Sequence, residues 1–144
     1  MPIRLLQSSD QRVASDLLRQ LGYDIGPTEL ASRINRVLAN PTHFAAVAEE
    51  RGKIYGLVHA YERPALEKAY EVVLQSLVVD QSARRRGIGK GLMIAAEAWA
   101  KSRGIEQVVL HTRIDRGDAR SFYEHIGYNL TATSHLMAKR LDRF

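Results

Sequence analysis

Apolar residues at Val13, Leu17, Leu18 and Leu21 recur at helical spacing behind the cap-type run "SSDQ", and Gly22 closes the pattern. This predicts a first helix, preceded by a short strand at Ile3–Gln7. A second helical pattern opens at Pro27 and Thr28, runs through Leu30, Ile34, Val37 and Leu38, and stops at "NPT". The period then changes. "HFAAVAEE", "RGK" and "IYGLVHAY" predict a β-hairpin about a glycine-containing turn, and "YEVVLQSLVVD" predicts a central strand, apolar on both faces toward its end. From Gly87 to Arg103 the spacing is helical again, with Ile88, Leu92, Ala95, Ala96 and Trp99 in one stripe. "QVVLHT" predicts a further strand, Asp118–His125 a short helix, and "YNLTAT" with "SHLMAKRL" a final pair of strands. The predicted order is β-α-α-β-β-β-α-β-α-β-β, an α/β (α+β) class with a mixed sheet and helices on its faces.

The chain has 144 residues, 45% of them hydrophobic and 26% charged, and no repeat or linker interrupts it. One domain over residues 1–144 is therefore expected. Cysteine is absent, which excludes disulfides, thiolate nucleophiles and thiolate metal sites. The first ten residues, "MPIRLLQSSD", lack a secretory pattern, and no apolar run approaches a membrane span, so a cytoplasmic location without membrane is expected. The formal net charge of +5 favours an anionic partner without choosing one. His43, His59, His125 and His135 show no metal-like spacing, and no metal is expected.

Clustering of charge narrows the choice. "ARRRGIGKGLM" (Ala83–Met93) places three arginines before glycines at 87, 89 and 91, between a strand and a long helix. A helix start offers unpaired backbone N–H groups to an anion, and glycine lets the anion approach. The arginines add charge-assisted hydrogen bonds. Glycines at 87, 89 and 91 behind a longer basic loop do not fit the dinucleotide fingerprint, and Lys90 followed by glycine does not fit the P-loop. The stretch reads as a pyrophosphate seat.

Arg84-x-x-Gly87-x-Gly89, with "SLVVD" before it, resembles the acyl-coenzyme A signature of the GCN5-related N-acetyltransferase (GNAT) family. "DARSFYEHIGY" (Asp118–Tyr128) is similar to that family's C-terminal motif, and the element order agrees across essentially the whole chain. The resemblance implies a mostly antiparallel sheet of six to seven strands flanked by about four helices. It implies acetyl-CoA as acyl donor and direct attack of a primary amine on the thioester. It assigns the pantetheine arm to the main chain of Leu77, Val78 and Val79. The pyrophosphate falls to Arg84, Arg85, Arg86, Gly87, Ile88, Gly89 and Lys90. Tyr123 matches the tyrosine near the coenzyme sulfur, where a protonated phenol suits a thiolate leaving group. Arg116 stands where many relatives have an asparagine that contacts the coenzyme, which puts that contact in doubt.

His111 aligns with a glutamate that is the base in one branch of the family, and an imidazole suits the same work. A histidine satisfied at the sheet surface is the competing reading. Glu71 is the alternative carboxylate, but about 20 Å of extended strand separates it from Leu77. The acceptor side would be formed by Leu21–Leu30, including Asp24 and Glu29, and by Asn129–His135. The acceptor itself stays open among a protein N-terminus or lysine, a polyamine or aminoglycoside, and a small metabolite amine. A non-catalytic acyl-CoA-binding module is the alternative. A nucleic-acid partner is not expected, since no aromatic lies within the basic loop. Dimers are frequent among similar proteins, so a homodimer is one of the states left open.

Overall fold

A computed structural model describes residues 1–142, which form two compact units, residues 1–111 and residues 112 onward. The first unit contains strands β1 (Ile3–Leu5), β2 (His43–Glu50), β3 (Lys53–Arg63), β4 (Glu71–Val79) and β5 (Val108–Leu110). Its helices are α1 (Gln11–Gln20), α2 (Pro27–Leu38) and α3 (Ile88–Ser102), and the second unit holds α4 (Gly117–His125). The strands lie in the order β1-β2-β3-β4-β5, antiparallel except for the β4–β5 pair. That last pair must be parallel because α3 carries the chain back across the sheet between them.

Alternation along the strands divides the core between two faces. Ala45, Val47, Leu57 and Val78 face α1 and α2, packing with Ala14, Leu17, Leu30 and Ile34. The other face receives α3. Phe44 stacks on Trp99 at 5.4 Å, and Gly56 lies under Leu92 and Ile88. At the far end of α3, Arg103 donates two hydrogen bonds of 2.8 Å to Glu62, which is buried on β3. α3 is thus fixed at both ends, which sets the position of its N-terminus.

Two bulges shape the sheet. One at Tyr55 shifts the β2–β3 register between Ala48 and Glu49, and one at Gln75 shifts β3–β4 between His59 and Ala60. The sheet has five strands, not six to seven. The segment 128–141, read as a final strand pair, forms no strand among the described residues. Its apolar side chains Leu130, Leu136, Met137 and Leu141 are exposed. Alternating sequence alone does not make a strand; a ladder partner and a covered face are needed, and this segment has neither. β5 is also shorter than "QVVLHT" suggests, ending at Leu110.

Candidate active site

β4 and β5 pair only at Val72–Val108, Val73–Val109 and Leu74–Leu110. The bulge at Gln75 follows at once, and Ser76–Val79 continue β4 with no strand on that side among the described residues. The backbone N–H and C=O groups on that edge are available to a ligand that pairs as a strand does. Val78 is buried, while Leu77 and Val79 are half-buried. The three residues assigned to the pantetheine arm are therefore among those the parallel ladder leaves free.

The chain leaves this edge through a braced turn. Asp80 accepts hydrogen bonds from the Ser82 N–H (2.9 Å) and hydroxyl (2.8 Å), and its own N–H donates to Tyr55 O at 2.8 Å. The Ser82 bonds hold the Asp80 carboxyl below its ordinary range. The backbone is left-handed at Arg85 (φ 66°) and at Gly87 (φ 76°). Glycine adopts this freely; arginine does so only under constraint, as at many ligand-binding turns. Gly87 is the N-cap of α3, and no side chain caps the helix, so the N–H groups of its first turn stay unpaired. Gly89 and Lys90 lie in that first turn and Ile88 is buried beneath it.

The arginines divide into two kinds. Arg84 and Arg85 are exposed and carry no ion pair among the described residues. Arg86 turns toward the β2–β3 hairpin, 3.4 Å from Glu50 and with its guanidinium 5.5 Å from the Tyr55 ring centre. Arg86 lines an open cavity of about 520 Å³ with Glu50, Arg51, Lys53 and Tyr55. Sequence reading missed the hairpin's part in this basic surface. Its signal was present in "RGK", where Arg51 (φ 53°) and Gly52 (φ 77°) form the turn.

In the second unit, Arg116 is the N-cap residue of α4, and the Arg120 N–H donates to its carbonyl at 3.1 Å. Tyr123 lies on α4, edge-on to Phe122 (5.2 Å) and Tyr128 (6.0 Å). Burial pushes its hydroxyl up to about 12, so the phenol keeps its proton throughout the neutral range.

Other residues singled out from sequence lie as follows. His111 is exposed, one residue beyond β5. Glu71 is buried at the opposite end of β4 from Leu77, held by Arg63 and by Lys68 at 3.4 Å. Burial pulls its carboxyl upward, but these hydrogen bonds outweigh it and the group lies below its ordinary range. Asp24 pairs with Arg19 (3.6 Å) and Glu29 with Arg33 (2.8 Å). Among the described residues no three of His, Cys, Asp and Glu gather as a metal cluster would, and no helix is long and apolar enough to cross a membrane.

A free strand edge beside an uncapped, arginine-flanked helix start is an arrangement whose shape and charge suit an extended, phosphate-bearing molecule. The chain belongs to the acetyltransferase (GNAT) family, whose model matches residues 11–128. It is an acyltransferase of that family. It is 27% identical over 117 residues to the aminoglycoside N(6')-acetyltransferase type 1 of Klebsiella aerogenes, covering 79% of this chain and 77% of that one. Over 72 residues it is 35% identical to mouse N-alpha-acetyltransferase 80, covering 50% of this chain but only 22% of that longer protein. Its fold matches the aminoglycoside N-acetyltransferase AAC(6')-Iy in complex with CoA at a TM-score of 0.87 and 19% identity, over 97% of this chain and 95% of that one.

Proposed function

We propose that this protein transfers the acetyl group of acetyl-CoA to a primary amine by direct attack on the thioester. The observation that carries the reading is the unpaired edge at Ser76–Val79, which leads straight into the uncapped start of α3. The main chain of Leu77, Val78 and Val79 pairs with the pantetheine amides, and the edge carries N–H groups suited to polarising the thioester carbonyl. Backbone N–H groups from Gly87 to Lys90 bind the pyrophosphate, with Arg84 and Arg85 supplying the guanidinium contacts. Arg86 faces the hairpin cavity and adds positive charge there.

Chemistry at the thioester needs two proton movements. Tyr123, protonated at every working pH, donates to the departing sulfur. The amine must lose its proton as the C–N bond forms, and His111, exposed beyond β5, is the acceptor read from sequence. The amine class follows the relatives. One is named an aminoglycoside acetyltransferase and another an N-alpha-acetyltransferase, so an amino sugar and a peptide N-terminus are the first two acceptors to try.

The test is release of free coenzyme thiol from acetyl-CoA across a panel of amines, alongside calorimetry with acetyl-CoA alone. Saturable binding with thiol release for at least one amine is expected. Binding without release from any amine would mark a non-catalytic acyl-CoA module, and no binding would overturn the site.

A further inference from the structure

On the face of the sheet toward α1 and α2, the apolar core covers Ala45, Leu57 and Val78, and the rows beyond carry polar and aromatic groups instead. His59 follows Leu57 on that face, and His43 precedes Ala45. The two imidazoles are stacked at 5.2 Å and joined by a hydrogen bond of 2.9 Å between His43 Nδ1 and His59 Nε2. Tyr61, directly opposite His43 across the strands, stacks on it at 5.3 Å and holds the pair in place. Both histidines are half-buried, and their outer ring nitrogens are not among the buried atoms left without a partner.

The pair runs across the strands. His59 stands directly opposite Ser76, the first residue of β4 beyond the bulge and the start of its free edge. Neighbouring strands lie about 4.8 Å apart, so His59 is one strand from that edge and His43 one strand further out. We propose that His59 and His43 form a proton relay that takes the proton of the acceptor amine from the β4 opening and delivers it to solvent. This rests on the acetyl-transfer reading above and assigns the base of that reaction to a pair the sequence motifs did not single out.

The chemistry follows from proton counting. A neutral pair joined Nδ1 to Nε2 keeps one proton between the rings, with one lone pair and one N–H at its two outer ends. When the lone pair is on His59 Nδ1, an N–H bond of the amine breaks and one forms there, directly or through one water. The shared proton crosses to His43 Nδ1, and His43 gives up its Nε2 proton to water. The electron pair left on the amine nitrogen becomes the C–N bond, the thioester C–S bond breaks, the sulfur takes a proton from Tyr123 and leaves as a thiol, and the second proton shed by the nitrogen makes good through solvent the one Tyr123 gave. With all three transfers complete both rings are neutral again, and proton exchange with solvent restores the starting tautomers. Burial, with His43 beside it, pushes His59 down to about 4, which suits a group that passes a proton on and does not store it. The titratable and charged groups on this face are Tyr61, one row further Arg63 with Glu71 and Lys68, and on β1 Arg4, opposite Val47, with its partners Asp10 and Glu49. The buried residues of α1 and α2 are apolar except Ser15, whose hydroxyl donates to the Ile25 carbonyl, and the carboxylates of these helices, Asp16 and Glu29, are exposed and paired with Arg19 and Arg33.

The experiment compares wild type with His59→Gln, His43→Gln and His111→Ala on acceptor amines of graded basicity, with acetyl-CoA binding and melting temperature measured in parallel. The relay predicts that His59→Gln lowers turnover about 100-fold for a strongly basic amine. It predicts little loss for a weakly basic amine that is already deprotonated, and unchanged acetyl-CoA affinity. His43→Gln, at the solvent end, should show the same amine dependence and keeps the test open if the first variant is poorly folded. Equal losses for all amines, or an amine-dependent loss only in His111→Ala, would overturn the relay and leave the acetyl-transfer reading standing. Absence of thiol release from wild type would overturn both.

Discussion

Gly56 gives the sharpest test of how α3 is positioned. A methyl group built on it would stand 2.8 Å from Leu92 Cδ1, 3.1 Å from Ile88 Cγ2 and 3.2 Å from the Val78 carbonyl oxygen. Leu92 is fully buried and cannot swing into solvent, and the carbonyl belongs to the ladder, so neither yields freely. Gly56→Ala is therefore an overpacking change, expected to cost about 2 kcal/mol. For a chain of this size that corresponds to a fall of roughly 8 °C in melting temperature. The strain relaxes by lifting the start of α3, because Ile88 is its first residue and Leu92 sits one turn on. Acetyl-CoA binding should then weaken about tenfold, about 1.4 kcal/mol. Leu92→Ala alone also destabilises, by opening a cavity, but in the double variant the new methyl occupies part of that space. The two losses should sum to less than their separate values. A melting temperature within 1 °C of wild type (roughly 0.25 kcal/mol by the same scaling), or strictly additive losses, would refute the argument that Gly56 exists for close helix approach.

Removing the guanidinium groups of Arg84 and Arg85 together should weaken acetyl-CoA binding by about 2 kcal/mol per group and flatten its salt dependence, measured by calorimetry at two ionic strengths. The same change at Arg86, already engaged by Glu50 and Tyr55, should cost less. Tyr123→Phe should lower turnover while leaving coenzyme affinity intact, and the wild-type pH–rate profile should show no alkaline fall from this phenol below pH 10, about 2 units under its raised value. Asp10 is held below its ordinary value by Arg4 and Glu62 by Arg103, and Glu71 is lowered by Arg63 and Lys68 against its burial. Their unfolded forms bind protons first as pH falls, so their stabilisation is full above the ordinary values of 3.8 and 4.5 and is lost on acidification through the lowered ones. Thermal melts between pH 6 and pH 3 should show this loss, with a shallower slope in Glu62→Gln.

Much of the site was legible because local chemistry dictates it. Glycine at 87 and 89 behind three arginines specifies an open helix start, suited to an anion, in any fold that puts a strand before it. The alternation of "SLVV" marks a strand, and α3 fell within one residue of its expected bounds, since its apolar stripe has a single period. Where pairing partners decide, the reading failed. The apolar pattern of residues 128–141 is strand-like, yet no ladder among the described residues takes it up, and "QVVLHT" holds its ladder for three residues only. Glu71, set aside in the sequence for its distance from Leu77, is also occupied by Arg63 and Lys68.

The residues near one another in sequence thus determined the family, the turn and the helix that rises from it. Two single-residue bulges, which no local pattern announces, decided the rest. An unbulged hairpin closed at Glu50–Lys53 would pair His43 with Ala60 and turn His59 to the opposite face; the extra residue at Tyr55 shifts the register by one and brings both imidazoles together. The bulge at Gln75 comes where β5 stops pairing, and leaves the edge of Ser76–Val79 unclaimed. Side-chain direction in a sheet has a period of two, so one inserted residue changes which groups can meet, and only the assembled sheet fixes where it is inserted.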